Sequence, residues 1–166
     1  MADPTVIEIP LRAGLVALVE ACDAHLAAYR WVAEPRDHTT YAVRRPFVNG
    51  QRRKVSLHRV ILGVLDRSVL VDHINGNGLD CRRGNLRIVS PRENMWNMRR
   101  RRDNTSGFKG VSWCENNKGW IAAIQLDRKR TYLGTYSDPS EAARVYDRAA
   151  VRLFGAYAKL NFPEAA

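Results

Sequence analysis

Hydrophobic and polar positions alternate over short runs along most of this chain and recur with helical spacing in a few places. Leu15 to Val19 is an apolar run closed by Glu20 and predicts a strand; Ala21 to Tyr29 predicts a short helix, and Tyr41 to Arg45 a further strand. Asn49-Gly50 predicts a hairpin, because a type I′ turn needs two residues with positive φ. Lys54 to Leu65 follows as an apolar stretch containing His58. Residues 1–50 therefore read as a small α/β region.

The next segment reads strand, loop, strand, helix. Leu70-Val71 is extended, Asn75-Gly76-Asn77-Gly78 must turn, and Leu86 to Val89 is a second short strand. Ser90-Pro91-Arg92-Glu93 has the form of a helix start, with Ser90 as cap, Pro91 in the first helical position and Glu93 closing a capping box. The pattern carries this helix to about Arg100. Arg99 to Asp103 and then Asn104-Thr105-Ser106-Gly107 read as a linker, since four consecutive arginines resist burial.

Beyond the linker the pattern changes to three strands, Val111 to Cys114, Trp120 to Gln125 and Thr131 to Tyr136. Turns fall at Asn116 to Gly119 and Asp127 to Lys129. Asp138-Pro139-Ser140-Glu141 starts a second helix, with Ala142, Val145, Tyr146, Ala149 and Leu153 on one face and Gly155 as its stop. The expected fold class is α+β. The expected domains are 1–98, with a strand-loop-strand-helix core at about 68–98, a basic linker at 99–106 and a second domain at 107–163.

Charge sharpens this picture. The chain of 166 residues carries a net charge of +10, and it is unevenly spread. Residues 1–50 hold 5 Lys/Arg against 6 Asp/Glu, residues 51–106 hold 13 against 5, and residues 107–166 hold 9 against 6. A basic block of that kind suits a polyanion, and nucleic acid is the commonest one. The three cysteines, Cys22, Cys81 and Cys114, form no CxxC pair and support neither a disulfide framework nor a structural zinc site. No stretch is long enough to span a bilayer, and Glu20 and Asp23 close the most apolar early segment too soon for a signal peptide. A cytoplasmic protein, in a bacterial or phage-infected cell, with no membrane partner is therefore expected. The motifs carry no signal for an oligomeric state.

The segment "VDHINGNGLDCRRGNLRIVSPRENMWN", Val71 to Asn97, carries the candidate chemistry. Hydrolysis of a phosphodiester needs a deprotonated water, stabilisation of developing charge and a neutralised leaving oxygen. A neutral histidine is the natural base near pH 7. A hard divalent cation on few oxygen ligands can meet the other needs. Asp72 and His73 are adjacent on a strand end, so their side chains point to opposite faces.

Asp72-His73, then Asn85, then Asn94 resembles the HNH nucleases of the ββα-metal fold, in the variant with Asn at the last position. "LHRVILG", "VDHINGN", "LDCRRGNLRIV" and "ENMWN" resemble the phage and intron homing endonuclease branch, over roughly residues 11–98. The resemblance implies that His73 is the general base, that Asp72 and Asn94 are metal ligands, and that Asn85 holds the loop and orients His73. Cys81 stands where an asparagine is expected. The implied cofactor is Mg²⁺ or Mn²⁺. With no third histidine among residues 54–97, a nitrogen-rich zinc or nickel site is disfavoured. His58 reads as a phosphate contact, a support of the site or a packing residue. Arg82, Arg83, Arg87 and Arg92 are candidate phosphate clamps, as are Arg99, Arg100, Arg101 and Arg102 in the linker. Asn97 reads as a helix-surface or DNA-backbone residue.

Residues 107–163 resemble the ethylene-response-factor (APETALA-type) DNA-binding domain, on "KGV", "GWIAAI", "YLGTY", "EAARVYDRAA" and "LNFP". That resemblance implies a three-stranded antiparallel sheet in the DNA major groove, backed by one helix. Alternation puts Val111, Ala122, Ile124 and Leu133 on one face and Ser112, Cys114, Ala123, Gln125, Arg130 and Tyr132 on the other. Arg130, Tyr132 and Lys109 match contacting positions of the plant domains, and Gln125 is a further candidate reader of base edges. Arg144, Arg148 and Arg152 read as a solvated helix face.

The combined expectation is a metal-dependent, site-directed endonuclease of duplex DNA, with no small-molecule cofactor, of a phage or mobile element. Its catalytic constellation would be complete within residues 1–98. The rival reading is a DNA-binding transcriptional regulator with an inactive HNH domain.

Overall fold

The computed structural model describes residues 5–100 and 102–163. It is α+β, with several small antiparallel sheets. Packing divides the chain into two compact units, Met1–Pro91 and Arg92–Ala166. The division falls ahead of the arginine run, where sequence had placed the linker.

In the first unit β1 (Val6–Pro10) pairs antiparallel with β2 (Val16–Glu20). β1 is absent from the sequence expectation. Its signal was the alternation of Ile7 and Ile9 about Glu8, and Ile9 is buried in the core. Ala21–Ala28, where a helix was expected, forms 3₁₀ turns instead. Only Asp23 and Leu26 are buried there, so the segment has no apolar stripe with which to dock an α-helix.

β3 (Val32–Pro35) and β4 (Thr40–Arg44) pair antiparallel. After the hairpin of β5 (Phe47–Val48) and β6 (Gln51–Arg52), β7 (Val55–Ser56) adds to β4. The hairpin turns at Asn49 and Gly50 with φ of 51° and 74°, as the dipeptide requires. α1 (Leu57–Ile61) follows. Then β8 (Leu70–His73) and β9 (Leu86–Val89) pair antiparallel. The core gathers Ile9, Val19, Trp31, Ala42, Leu57, Ile61, Cys81 and Leu86.

The early residues hold the loop between β8 and β9 in place. The Leu18 amide donates to Leu79 O at 2.8 Å, and the Cys81 amide donates to Leu18 O at 2.8 Å. Gly78 lies so close to β4 that an added Cβ would stand 2.5 Å from Thr40 O and 2.8 Å from the Tyr41 ring. Only glycine allows that approach.

α2 (Pro91–Trp96) starts at the last residue of the first unit and runs into the second. It stops at Trp96, short of the Arg100 that the pattern had suggested. In the second unit β10 (Val111–Cys114), β11 (Gly119–Leu126) and β12 (Lys129–Tyr136) form an antiparallel sheet in that order. α3 (Pro139–Phe154) is capped by Asp138, whose side chain accepts from the Ser140 amide, and Gly155 stops it with φ of 52°. Val111, Ala122 and Ile124 are buried beneath the helix, as alternation predicts.

The helix face needs one correction: Leu153 is exposed and Phe154 buried, so the docked stripe runs through Ala142, Ala143, Tyr146, Ala149, Ala150 and Phe154. Buried Asp147 accepts from the backbone amides of Asn161 and Phe162 and from Asn161 Nδ2, at 2.9 to 3.0 Å. This explains the "LNFP" tail. A hydrogen bond to a buried carboxylate is worth roughly 1.5–3 kcal/mol, and three donors fasten the tail to α3.

Candidate functional site

β8 and β9 place the candidate catalytic residues through their register. Asp72 pairs with Arg87 and His73 with Leu86, so the two neighbours lie on opposite faces of the ladder, as adjacent strand residues must. Asp72 Oδ2 accepts from Arg87 Nε at 3.0 Å and Nη2 at 2.9 Å.

His73 turns inward and is buried. Its ring meets His58 edge-on with centroids 5.0 Å apart, and Tyr41 at 5.7 Å. Its Nε2 lies 4.0 Å from Cys81 Sγ. Burial lowers the His73 pKa to about 4, against the pull of Asp72 and Asp80. The imidazole is therefore neutral at pH 7 and able to accept a proton.

His58 is buried as well, with Nδ1 lacking any hydrogen-bond partner. Burial first, and then His73, Arg59 and Lys54, bring its pKa to about 3. Cys81 belongs to the core, and burial pushes its thiol up to about 12, which makes it a packing residue.

Asn85 ties the loop. Its Oδ1 accepts from the Asn75 amide at 3.0 Å, and its Nδ2 donates to Asn75 Oδ1 at 3.0 Å and to Asp80 O at 2.7 Å. Those two acceptors match the two hydrogens of the side-chain amide. Asp80, which sequence reasoning had not singled out, takes Asn75 Nδ2 at 2.8 Å and a bidentate pair from Arg82 at 2.8 and 2.7 Å. Arg83 makes a bidentate pair with buried Asp23, both bonds at 2.8 Å. The three arginines assigned to phosphate in this region, Arg82, Arg83 and Arg87, thus each meet a carboxylate.

Asn94 sits on α2 and is half-buried. Arg92 on the same helix donates to Asp127 at 2.6 Å. Asn97, expected at the helix surface or on the DNA backbone, is buried. Arg99, Arg100 and Arg102 are exposed, and Arg101 lies outside the described residues.

On the sheet of the second unit, Gln125 faces Arg130 and Ala123 faces Tyr132 across β11 and β12. Gln125, Arg130 and Tyr132 are exposed, and Tyr132 Oη lies 2.7 Å from Thr135 Oγ1. A bulge at Ala122/Ala123 shifts this register and was not visible in the sequence. Lys109, expected on nucleic acid, is half-buried. Its Nζ donates to Trp96 O and Met98 O, each at 2.7 Å. Burial, with Lys159 nearby, lowers its pKa to about 8, which still leaves it largely charged at pH 7.

Asp72 in the first unit and Asn94 in the second each carry an oxygen donor of the kind a hard divalent cation takes. Asp72 holds the guanidinium of Arg87. Asn94 offers an amide oxygen, and a Mg²⁺-type ion uses few protein oxygens because it keeps its waters. Among the described residues no group of three or more His, Cys, Asp and Glu side chains could hold a metal.

The HNH endonuclease family profile matches residues 56–96, which span α1, β8, the loop, β9 and α2. The chain belongs to the HNH endonuclease family. Its relatives include Protein 3.8 of Escherichia phage T7, 34% identical over 86 residues, a match covering 52% of this chain and 71% of the phage protein. An uncharacterized HNH endonuclease of Acanthamoeba polyphaga mimivirus is 30% identical over 113 residues, 65% of this chain and 58% of the viral protein. An ethylene-responsive transcription factor of Arabidopsis thaliana is 45% identical over 58 residues, 34% of this chain and 32% of the plant protein. The chain thus spans about a third of that plant factor. No solved structure is a significant match. No helix among the described residues is long and apolar enough to cross a membrane.

Proposed function

We propose that this chain is a metal-dependent, site-directed endonuclease of double-stranded DNA, of the homing type found in phages and mobile elements. The observation that carries this reading is His73, a buried imidazole that follows Asp72 along β8 on the opposite face of the strand, within the family-matched segment.

In this reading His73 takes a proton from the attacking water. Asn85 keeps the loop after His73 in shape through Asn75 and Asp80. Asp72 and Asn94 supply oxygen ligands for Mg²⁺ or Mn²⁺. When bound, such an ion supplies charge neutralisation at the phosphate and the leaving oxygen. The exposed row of Gln125, Arg130 and Tyr132 reads base edges, while Arg99 to Arg102 hold backbone phosphate. The domain roles follow: a ββα-metal catalytic part, and a recognition sheet at 107–163.

A second reading, a DNA-binding regulator with an inactive HNH domain, draws on one observation, the ion pair that engages Asp72 with Arg87. Plasmid nicking with Mg²⁺ or Mn²⁺, and with EDTA as control, separates the two. The nuclease reading expects metal-dependent nicking that falls at least about 100-fold in His73→Ala, with DNA affinity almost unchanged. Absence of metal-dependent nicking, or equal loss of binding and cutting in His73→Ala, sinks it.

A further inference from the structure

Asn94 does not sit in a helix of its own making. α2 is only six residues long, too short to persist alone in water. Arg92–Trp96 belong to the second unit and are anchored within it. The Trp96 ring lies flat on Phe154, with centroids 4.8 Å apart and planes at 15°, and Tyr157 closes beside it at 6.4 Å. Trp96 packs with the cluster of Ile124, Tyr146, Ala149, Ala150 and Phe154, which is the core that backs the recognition sheet.

The helix end is fixed as well. Lys109 Nζ donates to Trp96 O and Met98 O, and the Lys159 amide donates to Trp96 O at 3.3 Å. These groups take up carbonyls that a helix C-terminus leaves without partners. At the other end Arg92 pairs with Asp127 in the β11–β12 turn and stacks its guanidinium over Trp96 at 5.3 Å.

The angular position matters. Asn94 and Trp96 are two residues apart, about 200° around an α-helix. Trp96 packs against the recognition core, so Asn94 projects from the opposite side of α2. Trp96 thus fixes the rotation of α2 within the second unit, and Lys109 holds its C-terminal end.

We infer that the recognition unit positions the metal-ligand helix: Trp96, seated on Phe154, and Lys109, on the carbonyls of Trp96 and Met98, are positioning residues for Asn94. The inference rests on the reading of Asn94 as a metal ligand. Its consequence is that metal affinity depends on packing inside the recognition unit. A residue with no donor atom for the metal then controls how well the metal is held.

The test is Mn²⁺ binding to the full-length chain, followed by electron paramagnetic resonance, in the wild type and in Asn94→Ala, Trp96→Ala and Trp96→Phe. Duplex DNA affinity in EDTA is measured in parallel. Asn94→Ala should weaken Mn²⁺ binding about 10-fold or more, and Trp96→Ala should weaken it by about 10-fold, the scale on which groups that orient a ligand act. Trp96→Phe keeps an aromatic face for Phe154 and should restore binding to near the wild-type level. DNA affinity in EDTA should stay close to wild type in all three, because the sheet face is untouched.

If Asn94→Ala weakens Mn²⁺ binding and Trp96→Ala does not, the positioning role is overturned while the ligand assignment stands. If Asn94→Ala has no effect, the ligand assignment fails and takes the inference with it. Should Trp96→Ala lose its cooperative unfolding transition, Lys109→Met, which keeps the aliphatic stem and removes the donor, is read by the same criterion.

Discussion

Arg87 faces Asp72 directly across the β8–β9 ladder, with Nη2 2.9 Å from Oδ2. Both side chains are largely withdrawn from solvent, at 15% and 11% exposure, so the pair is screened less than a surface pair. A cation that binds at Asp72 must share the carboxylate with the guanidinium or displace it.

Arg87→Gln should therefore tighten metal binding. Removing one positive charge a few ångströms from a divalent ion relieves on the order of 1 kcal/mol of repulsion, which corresponds to about a fivefold gain in affinity. Mn²⁺ titration of the variant without DNA checks this. Unchanged or weaker binding would mean that Arg87 orients Asp72 for the ion instead of competing with it.

The histidine pair makes the first unit acid-sensitive. His58 and His73 have folded-state pKa values of about 3 and about 4, both below the ordinary 6.5. The unfolded chain binds more protons than the folded one between those values and 6.5. Stability from this source is complete above pH 6.5 and falls as pH drops toward the folded values, by up to about 1.4 kcal/mol per pH unit for each histidine. Urea unfolding in EDTA at several pH values between 7.5 and 4.5 should show that slope. His58→Phe, which fills the space without titrating, should remove roughly half of it. A pH-independent midpoint would show that the rings are not held neutral.

Recognition and backbone holding should separate by their salt response. Replacing Arg99 to Arg102 by Ala should weaken binding alike on every duplex. It should lower the slope of log K against log salt by up to about one unit for each arginine that holds a phosphate. Replacing Arg130, exposed opposite Gln125 on the sheet, should instead reduce discrimination at particular base pairs by roughly 1–3 kcal/mol. Isotherms on specific and scrambled duplexes at several salt concentrations decide this. Loss of specificity in the arginine-run variant, with none in the Arg130 variant, would reverse the two roles.

Residue order alone determined the features in which a side chain acts on its own neighbours. Asn49-Gly50 turns the hairpin because both residues tolerate positive φ. Asp138 caps α3 because its carboxylate reaches an amide two residues on. The strand period put Asp72 and His73 on opposite faces and gathered Val111, Ala122 and Ile124 on one. The family, too, was legible in the Asp72-His73, Asn85 and Asn94 spacing, which the match over residues 56–96 spans.

The tertiary structure decided whatever depends on partners far along the chain. The carboxylate partner of a basic residue is not visible in local sequence, and Asp23 is sixty residues from Arg83. The contacts of Lys109 with the carbonyls at the end of α2 likewise depend on the packed chain. Ala21–Ala28 had helical composition but no apolar stripe to dock, and Leu153 and Phe154 could not be ranked until α3 had met its sheet. Local periodicity defines which faces are possible. Burial, charge pairing and the supply of acceptors for buried donors choose among them, and those are properties of the packed chain.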